Sequence, residues 1–132
     1  MNVVTVGCFD LLHEGHANLL RAMRKKGKVV VLVHDDASIW ALKGRMPVQS
    51  IDHREHNLRL SGLVSEVLRV CSVDPADYLY DLFLNGDWLF MRGDDMPDFP
   101  GRTAVERSSV TIELIPYTEN VSSSDRRDAC PT

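Results

Sequence analysis

Five consecutive apolar residues, Val29 to Val33, constrain the fold more than any other stretch of this chain. A run with no polar alternation suits a strand covered on both faces, and such strands belong to parallel sheets flanked by helices. Strand-like and helix-like segments alternate along the whole sequence, as a parallel α/β sheet requires. Val3-Val4-Thr5-Val6 is a shorter apolar run, and Trp88-Leu89-Phe90-Met91 reads as another buried strand. Val110, Ile112 and Leu114 alternate with Thr111 and Glu113, the pattern of a half-exposed edge strand.

Helical stretches fill the intervals. His16, Leu19, Leu20 and Met23 share one helix face, and Lys25-Lys26-Gly27 reads as the end of that helix. A short helical piece through Ile39 and Leu42 follows the valine run, and a third helix spans about Asp52 to Ser61. Asp74-Pro75 supplies an N-cap and a first-turn proline, and Ala76, Leu79, Tyr80 and Phe83 form a stripe read as core. Pro97 and Pro100 bracket an irregular loop in which Phe99 is a candidate lid residue.

Composition narrows the class. The 132 residues, read as one domain over 1–132, are 44% hydrophobic and 26% charged, the balance of a soluble globular protein. No run reaches the ~20 apolar residues of a membrane helix, and the N-terminus carries no basic region before an apolar stretch. A cytoplasmic protein without membrane partners is therefore expected. Three widely spaced cysteines, Cys8, Cys71 and Cys130, suit a reducing compartment. A net charge of −4 gives no reason to expect nucleic acid as a partner, so any polyanion site must be local.

The local candidate is Gly7-Cys8-Phe9-Asp10-Leu11-Leu12-His13-Glu14-Gly15-His16, which joins the first apolar run to the first helix. In an open parallel sheet such a loop lies at the carboxyl ends of the strands, where ligands bind, and it feeds a helix N-terminus whose free N–H groups attract anions. Gly15 lets a phosphate approach the backbone, and His13 and His16 can donate hydrogen bonds to its oxygens. His13-x-x-His16 and His53-x-x-His56 could also hold zinc, a reading the loop pattern makes the weaker one.

This stretch resembles the G-x-F-D-x-x-H-x-G-H signature of the cytidylyltransferase-like nucleotidyltransferases, with Gly7, Phe9, Asp10, His13, Gly15 and His16 at its fixed positions. The closest pattern is that of glycerol-3-phosphate cytidylyltransferase. The resemblance implies an α/β, Rossmann-like three-layer sandwich with a five-stranded parallel sheet, in which Val64-Ser65-Glu66-Val67-Leu68 is a further strand. It runs in the same order from Gly7 to about Arg127. Lys43 and Arg54 match family cations that hold phosphates; by themselves they read equally as a solvated basic pair. Gly93 and Asp94 match a pocket-lining Gly-Asp pair that alone would read as a turn. Thr118, Glu119 and Ser122 match the second signature, Arg-Thr-Glu-Gly-Ile-Ser-Thr-Thr, with Ser123 and Ser124 conservative; the serines could equally be plain helix caps. Val121 to Arg127 also resembles the Ile-Ser-Ser-Thr-x-x-Arg ending of adenylyltransferases, which makes Arg127 a triphosphate-binding arginine. Gly62 and Tyr117 stand where the glycerol-3-phosphate pattern has arginines.

The implied activity is transfer of a nucleoside monophosphate, CMP from CTP by preference, to a small phosphomonoester such as glycerol 3-phosphate or another polyol or sugar phosphate, with release of pyrophosphate. Mg²⁺ would accompany the triphosphate, with no separate protein metal site. His13, His16 and Lys43 would act on the reacting phosphates, while Gly7, Cys8 and Phe9 of the loop line the nucleotide. Asp10 would orient the loop backbone or help hold the metal. Transfer of AMP from ATP, and a nucleotide-binding module without turnover, are the alternatives. Family members are commonly dimers, so a homodimer is an expected partner state.

Overall fold

A computed structural model of the protein describes residues 1–93 and 99–116. The valine run is the middle of β2 (Lys28–His34), which pairs in parallel with β1 (Asn2–Gly7) on one side and β3 (Glu66–Val70) on the other. β4 (Trp88–Gly93) lies on the far side of β1, and β5 (Thr111–Ile115) completes a five-stranded parallel sheet of order β3-β2-β1-β4-β5. The helices are α1 (Glu14–Lys26), α2 (Asp36–Lys43), α3 (Ile51–Leu60), α4 (Ala76–Phe83) and α5 (Arg102–Arg107).

Strand alternation splits the core into two layers. Val3, Val29, Val31, Val33, Val67 and Met91 face Leu19, Leu20 and Met23 of α1 and Leu58 of α3. Val4, Val6, Val30, Leu32, Val70 and Phe90 face Leu79 of α4 and Ala104 and Val105 of α5. With helices on both faces, this is the Rossmann-like three-layer arrangement, and burying both faces of β2 is why its sequence lacks alternation. His16, Leu19, Leu20 and Met23 are the buried residues of α1, as their spacing predicts. Gly27 follows α1 because a Cβ there would lie 2.1 Å from the Met1 carbonyl oxygen, which accepts from Lys28 N–H.

Several expectations shift. β3 starts at Glu66 rather than Val64, since the Ser65 N–H donates to the Val29 carbonyl just before the ladder proper. α4 starts at Ala76, whose N–H the Asp74 carboxylate accepts, so Pro75 precedes the helix. Tyr80 of the expected core stripe is exposed, whereas Tyr78 packs against the core. Phe99 is no lid residue: it is buried, its ring stacked on Phe90 at 4.7 Å between centroids. The short α5 has no counterpart among the predicted elements. Leu114 at the edge strand remains exposed while Ile112 faces the core.

Candidate functional site

The strand order reverses between β1 and β4: the chain leaves β1 toward β2 and leaves β4 toward β5. Loops following such a pair diverge and leave a crevice outside the carboxyl ends of the strands, where α/β domains bind ligands. The loop from Gly7 to His13 opens on that crevice, and Gly93 ends β4 beside it.

His13 is the N-cap of α1. Its Nδ1 accepts from Gly15 N–H at 3.0 Å, and Nδ1 of His16 accepts from His13 N–H at 3.2 Å. The two imidazoles thus form a reciprocal capping box of the kind usually built from a hydroxyl and a carboxylate. With Nδ1 accepting, each neutral ring carries its proton on Nε2. The rings stack at 3.9 Å between centroids, and Phe9 packs on His16 at 5.3 Å. His13 is half-buried and His16 buried.

The loop that carries them is strained and braced. Phe9 and Leu11 have positive φ, 52° and 55°, a left-handed conformation that costs about 1–2 kcal/mol for a residue with a Cβ. Between them Asp10 is fully buried, and its carboxylate accepts from Val48 N–H at 2.7 Å and Gln49 N–H at 2.9 Å. Both oxygens therefore bind backbone donors of the loop after α2. Gln49 Oε1 returns the contact by accepting from Leu11 N–H at 3.1 Å.

Arg54 lies behind this loop instead of on its open side. Its side chain has no exposure; Nε donates to the Gln49 carbonyl, Nη1 to the carbonyls of Cys8 and His34, and Nη2 to Asp36 at 2.6 Å. Its donors face protein oxygens from three loops, so in this structure the guanidinium braces those loops. Cys8 is itself buried against Ile39. Lys43 ends α2, half-buried, and Gly44 follows at φ 74°, turning the chain into the loop that Asp10 grips.

Three residues at this edge escape sequence reasoning. Arg92, next to last in β4, is buried, donating to the Val6 carbonyl at 3.0 Å with its guanidinium 5.0 Å over the Phe99 ring. His34 ends β2, buried, with Nδ1 3.2 Å from the Ser72 carbonyl, and burial pushes its pKa below the usual 6.5. Gln49 is the third. A polar residue closing an otherwise apolar strand was the available signal for Arg92 and His34; none marked Gln49. Asp94, Thr118, Ser122, Ser123, Ser124 and Arg127 lie outside the described residues. Among the described residues, no three His, Cys, Asp or Glu side chains are grouped to hold a metal ion, and no helix is long and apolar enough to cross a membrane.

A doubly wound parallel sheet with an imidazole-bearing loop at its switch point defines a Rossmann-like α/β class. Within it, the chain belongs to the cytidylyltransferase-like family, whose model matches residues 4–129. The bifunctional protein HldE of Desulfatibacillum aliphaticivorans is 40% identical over 125 residues, covering 92% of this chain and 25% of that protein. The HldE of Psychromonas ingrahamii is 33% identical over 130 residues, covering 93% of this chain and 26% of that protein. The chain spans about a quarter of the length of these curated relatives. A crystal structure of the lipopolysaccharide core biosynthesis protein from Thermoplasma volcanium GSS1 has the same fold, with a TM-score of 0.71 at 19% identity, covering 92% of this chain and 98% of that one.

Proposed function

We propose that this chain is a nucleotidyltransferase domain that joins a nucleoside triphosphate to a small phosphomonoester and releases pyrophosphate. The observation that carries the reading is the pair of stacked imidazoles at the N-terminus of α1, locked together by a reciprocal capping box through their Nδ1 atoms. An oxygen of the acceptor phosphate attacks the α-phosphorus in line, a new P–O bond forms, and the bond to the β-phosphate oxygen breaks with its electron pair leaving on pyrophosphate. Catalysis of this kind is positioning and charge stabilisation. His13 and His16 donate to the α-phosphate and the departing bridging oxygen, and Lys43 at the rim neutralises phosphate charge. Gly7, Gly15 and Gly93 let phosphate and nucleotide approach the backbone, and Ser122 to Ser124 with Arg127 grip the far phosphates. Magnesium would ride on the triphosphate. Bound there, it would neutralise charge on the phosphates, while the Asp10 carboxylate accepts from two backbone N–H groups.

CTP is the nucleotide favoured by the His-loop pattern, and glycerol 3-phosphate and sugar phosphates are the first acceptors to try. The Val121 to Arg127 ending favours ATP as the second reading. The test is thermal stability with CTP, ATP, GTP and UTP, each with Mg²⁺, followed by pyrophosphate release with a panel of phosphomonoesters. A ligand at a hundred times its Kd adds about 2.7 kcal/mol, a shift of several degrees in a domain of this size. A shift with CTP alone supports cytidylyl transfer, and one with ATP alone moves the acceptor search to adenylyl chemistry. In the active protein His16→Ala should lower kcat about a hundredfold to a thousandfold. A shift without pyrophosphate release identifies a binding module, and no shift with any nucleotide at saturation overturns the proposal.

A further inference from the structure

We propose that Gln49 is a positioning residue for the two imidazoles: its side chain closes a reciprocal lock between the His-bearing loop and the loop after α2, holding the strained backbone from which His13 springs. Three observations converge on it. Asp10 reaches across to the Val48 and Gln49 N–H groups, and Gln49 Oε1 reaches back to Leu11 N–H at 3.1 Å. These contacts fall on Asp10, between Phe9 and Leu11, and on Leu11 itself, the two flanking residues being held at positive φ in this loop. Gln49 is tied down behind as well, its carbonyl accepting from Arg54 Nε at 3.0 Å and its Oε1 lying 3.4 Å from Asn57 Nδ2 of α3.

The consequence follows from where the strain sits. Positive-φ residues persist only where surrounding contacts over-determine them. Leu11 N–H is held by one side-chain acceptor, and two residues further on His13 must present Nδ1 to Gly15 and its own N–H to His16. Release of Leu11 therefore loosens the capping box that sets both ring orientations. The same lock ties the loop after Lys43 to the histidines, so cation and imidazoles are held in one frame. This role rests on the nucleotidyl-transfer reading for its effect on turnover, but not for its effect on the rings.

Two variants test it. Gln49→Met keeps length and removes the acceptor, while Gln49→Glu keeps an acceptor oxygen. In the nitrogen-15 spectrum of the imidazoles, wild type should show both His13 and His16 as Nε2–H tautomers. Gln49→Met should shift both toward averaged values, and Gln49→Glu should restore them. Leu79→Ala, on the opposite face of the sheet, is a control that lowers stability without touching the loop. For turnover, Gln49→Met should lower kcat between about tenfold and a hundredfold with KM for nucleotide within about twofold. Gln49→Glu should stay within about threefold of wild type in kcat. Unchanged ring signals in Gln49→Met overturn the proposal, as does an equal shift in Leu79→Ala. If no nucleotide is turned over, the functional reading falls while the ring spectra still decide the positioning role.

Discussion

Helix α3 carries two arginine networks that differ in everything but residue type. On its inner side, Arg54 has no exposure and holds three backbone carbonyls and Asp36. On its outer side, Arg69 of β3 is 46% exposed and bridges Asp52 and Glu55 at 2.7 and 2.8 Å, while Arg59 binds the other oxygen of Glu55. The outer network is real enough to hold the Glu55 carboxyl below its usual pKa, chiefly through Arg69 and then Arg59. Yet exposed pairs compete with water and are screened by salt, so geometry of this quality contributes little. The inner arginine has no water to fall back on. Its removal would strand the buried carbonyls of Cys8 and His34 and the half-buried carbonyl of Gln49 at once, so its loss costs more than any single contact suggests.

The largest effect that would break this contrast is at Arg54. Arg54→Met should destabilise by about 3–5 kcal/mol, read as a drop of about ten degrees or more in thermal unfolding. Arg54→Lys should recover only part, because an ammonium cannot span acceptors arranged for a planar fork. A small loss in both variants would show that the buried network is dispensable.

A second, intermediate test uses His34, whose carbonyl Arg54 holds and whose ring is buried. Its folded pKa lies below 6.5, first because of burial, so the unfolded chain binds more protons below that pH. The neutral ring's contribution is then complete above pH 6.5 and lost as pH falls toward the folded value. Denaturant titrations from about pH 7.5 to about pH 5 should show wild type losing stability more steeply than His34→Gln. Parallel curves would place the titration elsewhere. The smallest effect belongs to the outer network: Arg69→Ala should cost about 0.2–1 kcal/mol and less in high salt. A loss as large as that of Arg54→Met would mean that burial is not what separates the two.

The same contrast shows what could be read from the residues. Arg54 and Arg59 lie on one helix and look alike in sequence, each with an acidic neighbour within reach. Only the docking of α3 against the sheet turns one inward. Leu19, Leu20 and Met23 were legible as a buried face because helical periodicity is a local property. Phe99 was not legible as core, because its partner Phe90 comes from a strand and the six-residue α5 beside it is too short to show a period. The Asp10–Gln49 lock joins positions 39 residues apart and has no sequence signature, although Asp10 itself stood out.

By itself the sequence determined the alternation of strands and helices, the both-sided burial of β2 and the placing of two histidines where a strand gives way to a helix. Those depend on patterns a few residues long, governed by the strand's two-residue and the helix's 3.6-residue repeat. The tertiary structure decided the order β3-β2-β1-β4-β5, hence the crevice between β1 and β4, and it decided which loops meet there. It also decided that Arg54 and Asp10 hold backbone groups. Pairing of distant loops depends on how whole layers pack, and a buried polar group finds its partners only once packing has removed water from around it.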